Sequence, residues 1–163
     1  MDEYYSIIAP SYERLHGQEQ DKKIEEFLQE IIVLDGASVL DVGCATGRSS
    51  KYFLNASWQG IEPAKGLIDA GKKGIHHGKA EALPYDDEEF DIVLCVTSLQ
   101  NFDDSQKGLQ EINRVTKKDG VLLISFLKKS PKANILHQQI QSIFSIKKHW
   151  TQQHDEMYVC KRR

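Results

Sequence analysis

The chain has 163 residues, 40% of them hydrophobic, enough for one domain that buries roughly 70% of its unfolded surface. Its 21 basic and 24 acidic residues leave a net charge of −3, so no basic excess argues for nonspecific nucleic-acid binding. Cys44, Cys95 and Cys160 are odd in number and far apart, which argues against a disulfide framework. The opening Met1-Asp2-Glu3-Tyr4-Tyr5 is not a signal peptide and no apolar run approaches membrane length, so a cytoplasmic protein is expected.

In chain order, Ile24, Phe27, Leu28, Ile31 and Ile32 follow helical spacing and predict a helix over 21–34, ended by Asp35-Gly36. Ser38–Val42 predicts strand one. Gly43 and Gly47 bracket a tight loop, and Arg48–Leu54 runs on as a helix. Strand two is expected over Trp58–Glu62, a short helix over Lys65–Lys72 and strand three over Ile75–Lys79. The apolar run Ile92–Val96 reads as a central parallel strand. Leu109, Ile112 and Val115 mark one helix face, Val121–Phe126 is strand five, and Ser130-Pro131 opens another helix with proline in its first turn. The tail from Ser142 to Cys160 alternates weakly and predicts two closing strands. This alternation predicts an α/β fold, a doubly wound, mostly parallel sheet of seven strands with helices on both faces. No repeat or linker divides it. A single domain over 1–163 is expected, with an N-terminal helical cap or lid (1–35), a core (36–128), and a closing helix with antiparallel strands (129–163).

The stretch Val39-Leu40-Asp41-Val42-Gly43-Cys44-Ala45-Thr46-Gly47 is the most specific motif. A dinucleotide-binding loop would need a third glycine to seat a pyrophosphate on the helix N-terminus, and Asp41 at the strand end would repel that group. The same aspartate can engage the ammonium end of a cationic amino-acid ligand. The motif resembles the first motif of the class I S-adenosylmethionine-dependent methyltransferases, apolar-Leu-Asp-Val-Gly-Cys-Gly-x-Gly, with Ala45 in place of the middle glycine. The loop bears that change if position 45 keeps a negative φ. Glu62, at the end of strand two, stands where the family has its ribose-binding acid. Gly78-Lys79-Ala80-Glu81-Ala82-Leu83-Pro84-Tyr85 resembles the family's adenine-reading segment. Lys79 there replaces an aspartate and has no acceptor for an adenine amino group. Phe90–Phe102 resembles the family's fourth strand and following loop, and Arg114–Gly120 its turn before strand five, read as structural. Tyr5-Ser6-Ile7-Ile8-Ala9-Pro10-Ser11-Tyr12-Glu13 resembles the opening of the ubiquinone and menaquinone biosynthesis-type (type 11) subgroup, in which an N-terminal segment can cover the cofactor.

The resemblance implies S-adenosylmethionine as cofactor, S-adenosylhomocysteine as product, and a cofactor site built from Asp41, Gly43, Cys44, Ala45, Gly47, Glu62, Ala80, Glu81 and Thr97. Tyr5, Tyr12, Gln100 and Asn101 are candidates for substrate or lid contacts; core packing for Tyr12 and plain loop polarity for Gln100 and Asn101 stay open. No catalytic base stands out. The six histidines lack ligand spacing, so no metal is expected. With no long insertion after strand five, the acceptor is either a large one, RNA or protein, or a small molecule covered by the N-terminal segment, or the site is completed by a partner subunit. A cofactor-binding subunit without catalysis is the remaining alternative. No membrane partner is expected.

Overall fold

The computed structural model describes residues 1–163. The chain runs through helices α1 (Asp2–Ile8) and α2 (Tyr12–Leu28), then β1 (Ser38–Val42), β2 (Ser57–Glu62), α3 (Lys65–Asp69), β3 (Ile75–His77) and β4 (Phe90–Cys95). It continues through α4 (Ser105–Val115), β5 (Thr116–Leu127), α5 (Ala133–Ile143), β6 (Phe144–Gln152) and β7 (Asp155–Arg162). The seven strands lie in the order β3-β2-β1-β4-β5-β7-β6. The first five are parallel, and β7 enters antiparallel between β5 and β6. The order reverses between β1 and β4, which opens a crevice above their carboxyl ends, where ligands bind in sheets of this kind.

Side-chain alternation divides the core between the two faces. Leu40, Val42, Val93, Cys95, Leu122 and Ile124 pack with Leu109, Ile112, Leu136 and Ile140 of α4 and α5. Val39, Ile92, Leu94, Leu123 and Met157 pack on the other face with Phe27 of α2 and Phe53. Helix α4 starts on Asp104, whose carboxylate accepts from the Lys107 amide, an N-cap that satisfies one of the helix's free donors.

Several boundaries differ from the sequence expectation: β3 ends at His77 rather than Lys79, β4 covers Phe90–Cys95 rather than Ile92–Val96, and α5 begins at Ala133, so that Pro131 lies in the turn before the helix and not in its first turn. Helix α2 begins at Tyr12 and ends at Leu28 rather than spanning 21–34. The β-branched run Ile31-Ile32-Val33 resists helix. Ile31 and Val33 instead pack on the sheet as a connecting segment, while Ile32 and Leu34 are 85% and 70% exposed. The helix expected after Gly47 is a short 3₁₀ segment, Arg48–Tyr52. Helix α3 stops at Asp69, because the following chain turns to donate the Lys72 amide to the Thr46 carbonyl. Strand β5 starts at Thr116, since Phe90 pairs with Thr116 and Ile92 with Val121; the expected turn at Lys118-Asp119-Gly120 is a bulge inside the strand.

Candidate functional site

The Gly43–Gly47 loop leaves β1 with three residues at positive φ: Gly43 (73°), Ala45 (51°) and Gly47 (75°). Ala45 therefore departs from the negative φ expected of it. Two backbone bonds from Gly43 and Cys44 to the Ile61 carbonyl, and one from the Ala45 amide to Glu62, draw the loop into this shape. Glycine at 43 is required by the protein itself, because a Cβ there would lie 2.6 Å from the Ser98 side chain. The Cys44 thiol is buried against Gly60, and burial pushes its pKa well up, as it does those of Cys95 and Cys160, to about 12. These are inert thiols.

Glu62 is 5% exposed and lines the crevice at the end of β2. Its two oxygens accept from the Ala45 amide (2.9 Å) and the Ala64 amide (3.0 Å). Burial raises its pKa, and the two amides work against that rise. A carboxylate has about four acceptor positions, so the group that shapes the loop retains capacity for two further donors such as a vicinal diol.

Asp41 takes a different place. Its carboxyl is buried behind the loop, accepts from Ser49 Oγ at 2.5 Å, and does not line the crevice. Trp58 Nε1 in turn donates to Ser49 Oγ at 3.0 Å. Burial pushes the Asp41 pKa up to about 7, with the Ser49 bond opposing. Neither Ser49 nor Trp58 carried a sequence signal. Helix α2 is tied to the same loop by Arg48, which donates to both oxygens of Asp21 (2.9 and 2.7 Å) and pairs with Glu13.

Tyr5, Tyr12, Ala45, Glu62, Thr97 and Asn101 come together around one cavity of about 80 Å³. The Tyr5 and Tyr12 rings meet edge to face at 6.3 Å and pack on Ala64 and Leu67. Burial raises both phenol pKa values, that of Tyr12 far above the ordinary range. Asn101 donates to the Tyr5 hydroxyl at 3.1 Å. Helix α1 sits tightly on α3, where the Gly66 amide donates to Ser6 Oγ. Ala80 and Glu81 line an adjoining cavity of about 40 Å³ that shares Asp2, Gly43, Pro63, Asn101 and Phe102 with the first. The Glu81 carboxylate accepts from the Asp104 amide, and Lys79 pairs with Asp103 at 2.7 Å and Asp2 at 3.7 Å across this mouth. Gln100 is not part of either lining; its amide nitrogen donates to the Thr97 carbonyl at 2.8 Å. Gly47 stands apart too, packed against Trp58 and Ile75.

A wider groove of about 760 Å³ lies at the amino ends of β4 and β5, lined by Asp35, Glu88, Lys117 and Lys161 among others. Volume does not choose between the two. The carboxyl-end crevice alone joins a switch point, a buried acid and aromatic walls. Thr97, at its back, has φ 52°, a conformation costing a β-branched residue on the order of 1–3 kcal/mol. No helix is long and apolar enough to cross a membrane.

Comparison with known proteins bears on this site. A family model described as a methyltransferase domain matches residues 40–124. An uncharacterised protein of Methanocaldococcus jannaschii is 32% identical over 125 residues, covering 76% of this chain and 50% of its own. A demethylmenaquinone methyltransferase of Renibacterium salmoninarum is 34% identical over 132 residues, covering 74% and 56%. The chain thus spans about half the length of these curated relatives. Among solved structures, a chain of the Haloferax volcanii complex between the Trm112 methyltransferase activator and a methyltransferase superposes with a TM-score of 0.80, at 12% identity, over 97% of both chains.

Proposed function

The chain belongs to the class I S-adenosylmethionine-dependent methyltransferases of type 11, and from that membership we propose that it transfers a methyl group by in-line displacement to an acceptor entering beside Asn101 and Phe102. The product is S-adenosylhomocysteine. When bound, S-adenosylmethionine supplies a methyl group on a sulfonium whose positive charge disappears as the methyl leaves.

The observation that carries the reading is Glu62, a buried carboxylate at the crevice wall with acceptor capacity left over after bonding two loop amides. It would accept hydrogen bonds from the two ribose hydroxyls. Gly43 and Ala45 offer backbone at close range, and Ala80 and Glu81, which line the adjoining space, would hold the adenine. Asp41 acts indirectly, by holding Ser49 behind the loop. Its burial behind the loop suits the chemistry, because a carboxylate against the sulfonium would stabilise the ground state more than the transition state. Tyr5 and Tyr12 exclude water and present ring faces and hydroxyls to the reacting end. Alignment of donor and acceptor supplies much of the rate, at best about 7–11 kcal/mol.

Calorimetry tests the cofactor. Binding of S-adenosylmethionine and S-adenosylhomocysteine, and none of NAD, is expected; NAD binding at about micromolar level without an adenosylmethionine signal reverses the assignment. Tritiated cofactor offered to metabolite, RNA and protein fractions of a cell extract then identifies the acceptor class by where label appears. A second reading, favoured by the likeness to the Haloferax volcanii chain, is that a partner subunit completes the site. It predicts label transfer only after a protein fraction is added back.

A further inference from the structure

The crevice wall contains a residue held against its backbone preference by charges that lie outside the crevice. Thr97 lies two residues beyond the end of β4 and has φ 52°. Its amide donates to Ser125 Oγ at 2.9 Å and to the Ser125 carbonyl at 3.1 Å. Its hydroxyl donates to Asp155 Oδ2 at 2.6 Å and accepts from Lys23 Nζ at 2.9 Å. Every polar atom of the residue is bonded, since its carbonyl accepts from Gln100.

Lys23 and Asp155 are 1% and 0% exposed and lie 3.0 Å apart. One comes from α2, the other opens β7, and both reach Thr97 in the loop after β4. Glu19 adds a longer contact to Lys23 at 3.4 Å, and Ser125 Oγ donates to Asp155 at 2.9 Å. A buried ion pair is poor value for stability, because well-packed apolar residues of the same size usually do as well or better. This pair has a more specific use. A left-handed, β-branched residue persists only where its surroundings over-determine it, and Lys23 and Asp155 supply two of the bonds that do so. The next residue carries the geometry into the site. Ser98 Oγ donates to the Val42 carbonyl at 3.0 Å and abuts Gly43, so the position of Thr97 sets how the β4 loop meets the β1 loop.

We propose that Lys23 and Asp155 are positioning residues that lock Thr97 in its left-handed conformation and so hold the 96–98 wall against the Gly43 loop in the shape that receives the cofactor. This rests on the cofactor reading above, and deepens it. The decisive protein is the double variant Lys23→Met, Asp155→Leu, which removes both charges and both of their bonds to the Thr97 hydroxyl together and leaves neither charge unpaired. It is expected to melt no lower than wild type. Its calorimetric dissociation constant for S-adenosylhomocysteine rises at least tenfold, and amide hydrogen exchange over 96–101 accelerates while β1 and β5 stay protected. Thr97→Val, which replaces the hydroxyl with a methyl group, shows the same two changes and decides the matter if the double variant does not fold. Thr97→Ser, which keeps the hydroxyl, binds more tightly and exchanges more slowly over 96–101 than Thr97→Val. Unchanged affinity, or unchanged exchange over 96–101, overturns the proposal. If wild type itself binds no S-adenosylhomocysteine, the cofactor reading fails, and the exchange measurement, which needs no ligand, still decides whether the pair positions Thr97.

Discussion

Glu62 is bonded twice by the protein before any ligand arrives, and this changes what its removal should do. In Glu62→Gln one acceptor becomes an amide donor facing a backbone N–H. Because charge-assisted bonds contribute about 1.5–3 kcal/mol, the variant should bind S-adenosylhomocysteine about ten- to 150-fold more weakly. It should also melt lower, since Ala45 and Ala64 lose a charged acceptor. A variant that weakens binding alone, with melting unchanged, would mean that the loop does not depend on the carboxylate. Asp41 makes a pH prediction. Its folded pKa of about 7 lies above the unfolded value of 3.8, so the folded state holds a proton that the unfolded state has released. The contribution of this group to stability is therefore fully present below pH 3.8 and is lost as pH rises through about 7. Urea titrations should show Asp41→Asn losing less stability than wild type between these limits; parallel curves would place the titration elsewhere.

The β1 loop and the N-terminal helix are elements whose sequence signals differ in kind. The loop is strained at one non-glycine position, Ala45 at φ 51°. Left-handed backbone costs an alanine about 1–2 kcal/mol, and glycine removes that cost at about 0.5–1 kcal/mol of extra chain entropy. Ala45→Gly should therefore stabilise the protein by up to about 1 kcal/mol, a rise of about 2–4 °C in Tm, read by calorimetric melting. No rise would show that the loop relaxes around Ala45. Helix α1 depends on a close approach instead. A Cβ on Gly66 would lie 2.8 Å from the Ser6 carbonyl oxygen, a backbone atom that can move only if the helix does. Gly66→Ala should lift α1, expose Tyr5 to limited proteolysis and weaken cofactor binding, while the sheet remains folded by far-ultraviolet circular dichroism. Resistance to cleavage equal to that of wild type would show that α1 accommodates the methyl group.

For the molecule as a whole, the pattern of short apolar runs and amphipathic segments determined the α/β class, the strand sequence and the mostly parallel sheet. Burial of both sheet faces imposes that pattern locally, residue by residue. Strand β1 over Ser38–Val42 and the end of β2 at Glu62 were legible for this reason. So was the glycine-bracketed loop, whose residue types follow from backbone geometry. Helix α2 was legible only in its second half, because its first half meets the loop through the pairing of Glu13 with Arg48 rather than through an apolar stripe. Tertiary structure alone decided the rest. It turned Asp41 toward Ser49 and away from the crevice, and it put Ala45 at positive φ. It also carried Lys23 and Asp155 from opposite ends of the sequence to one threonine. A buried charge pair has no local sequence signature. Each partner reads as an ordinary surface residue of its own element, and only the closing of helix and hairpin over the sheet, by apolar contacts such as Phe27 with Trp150, takes both out of water together.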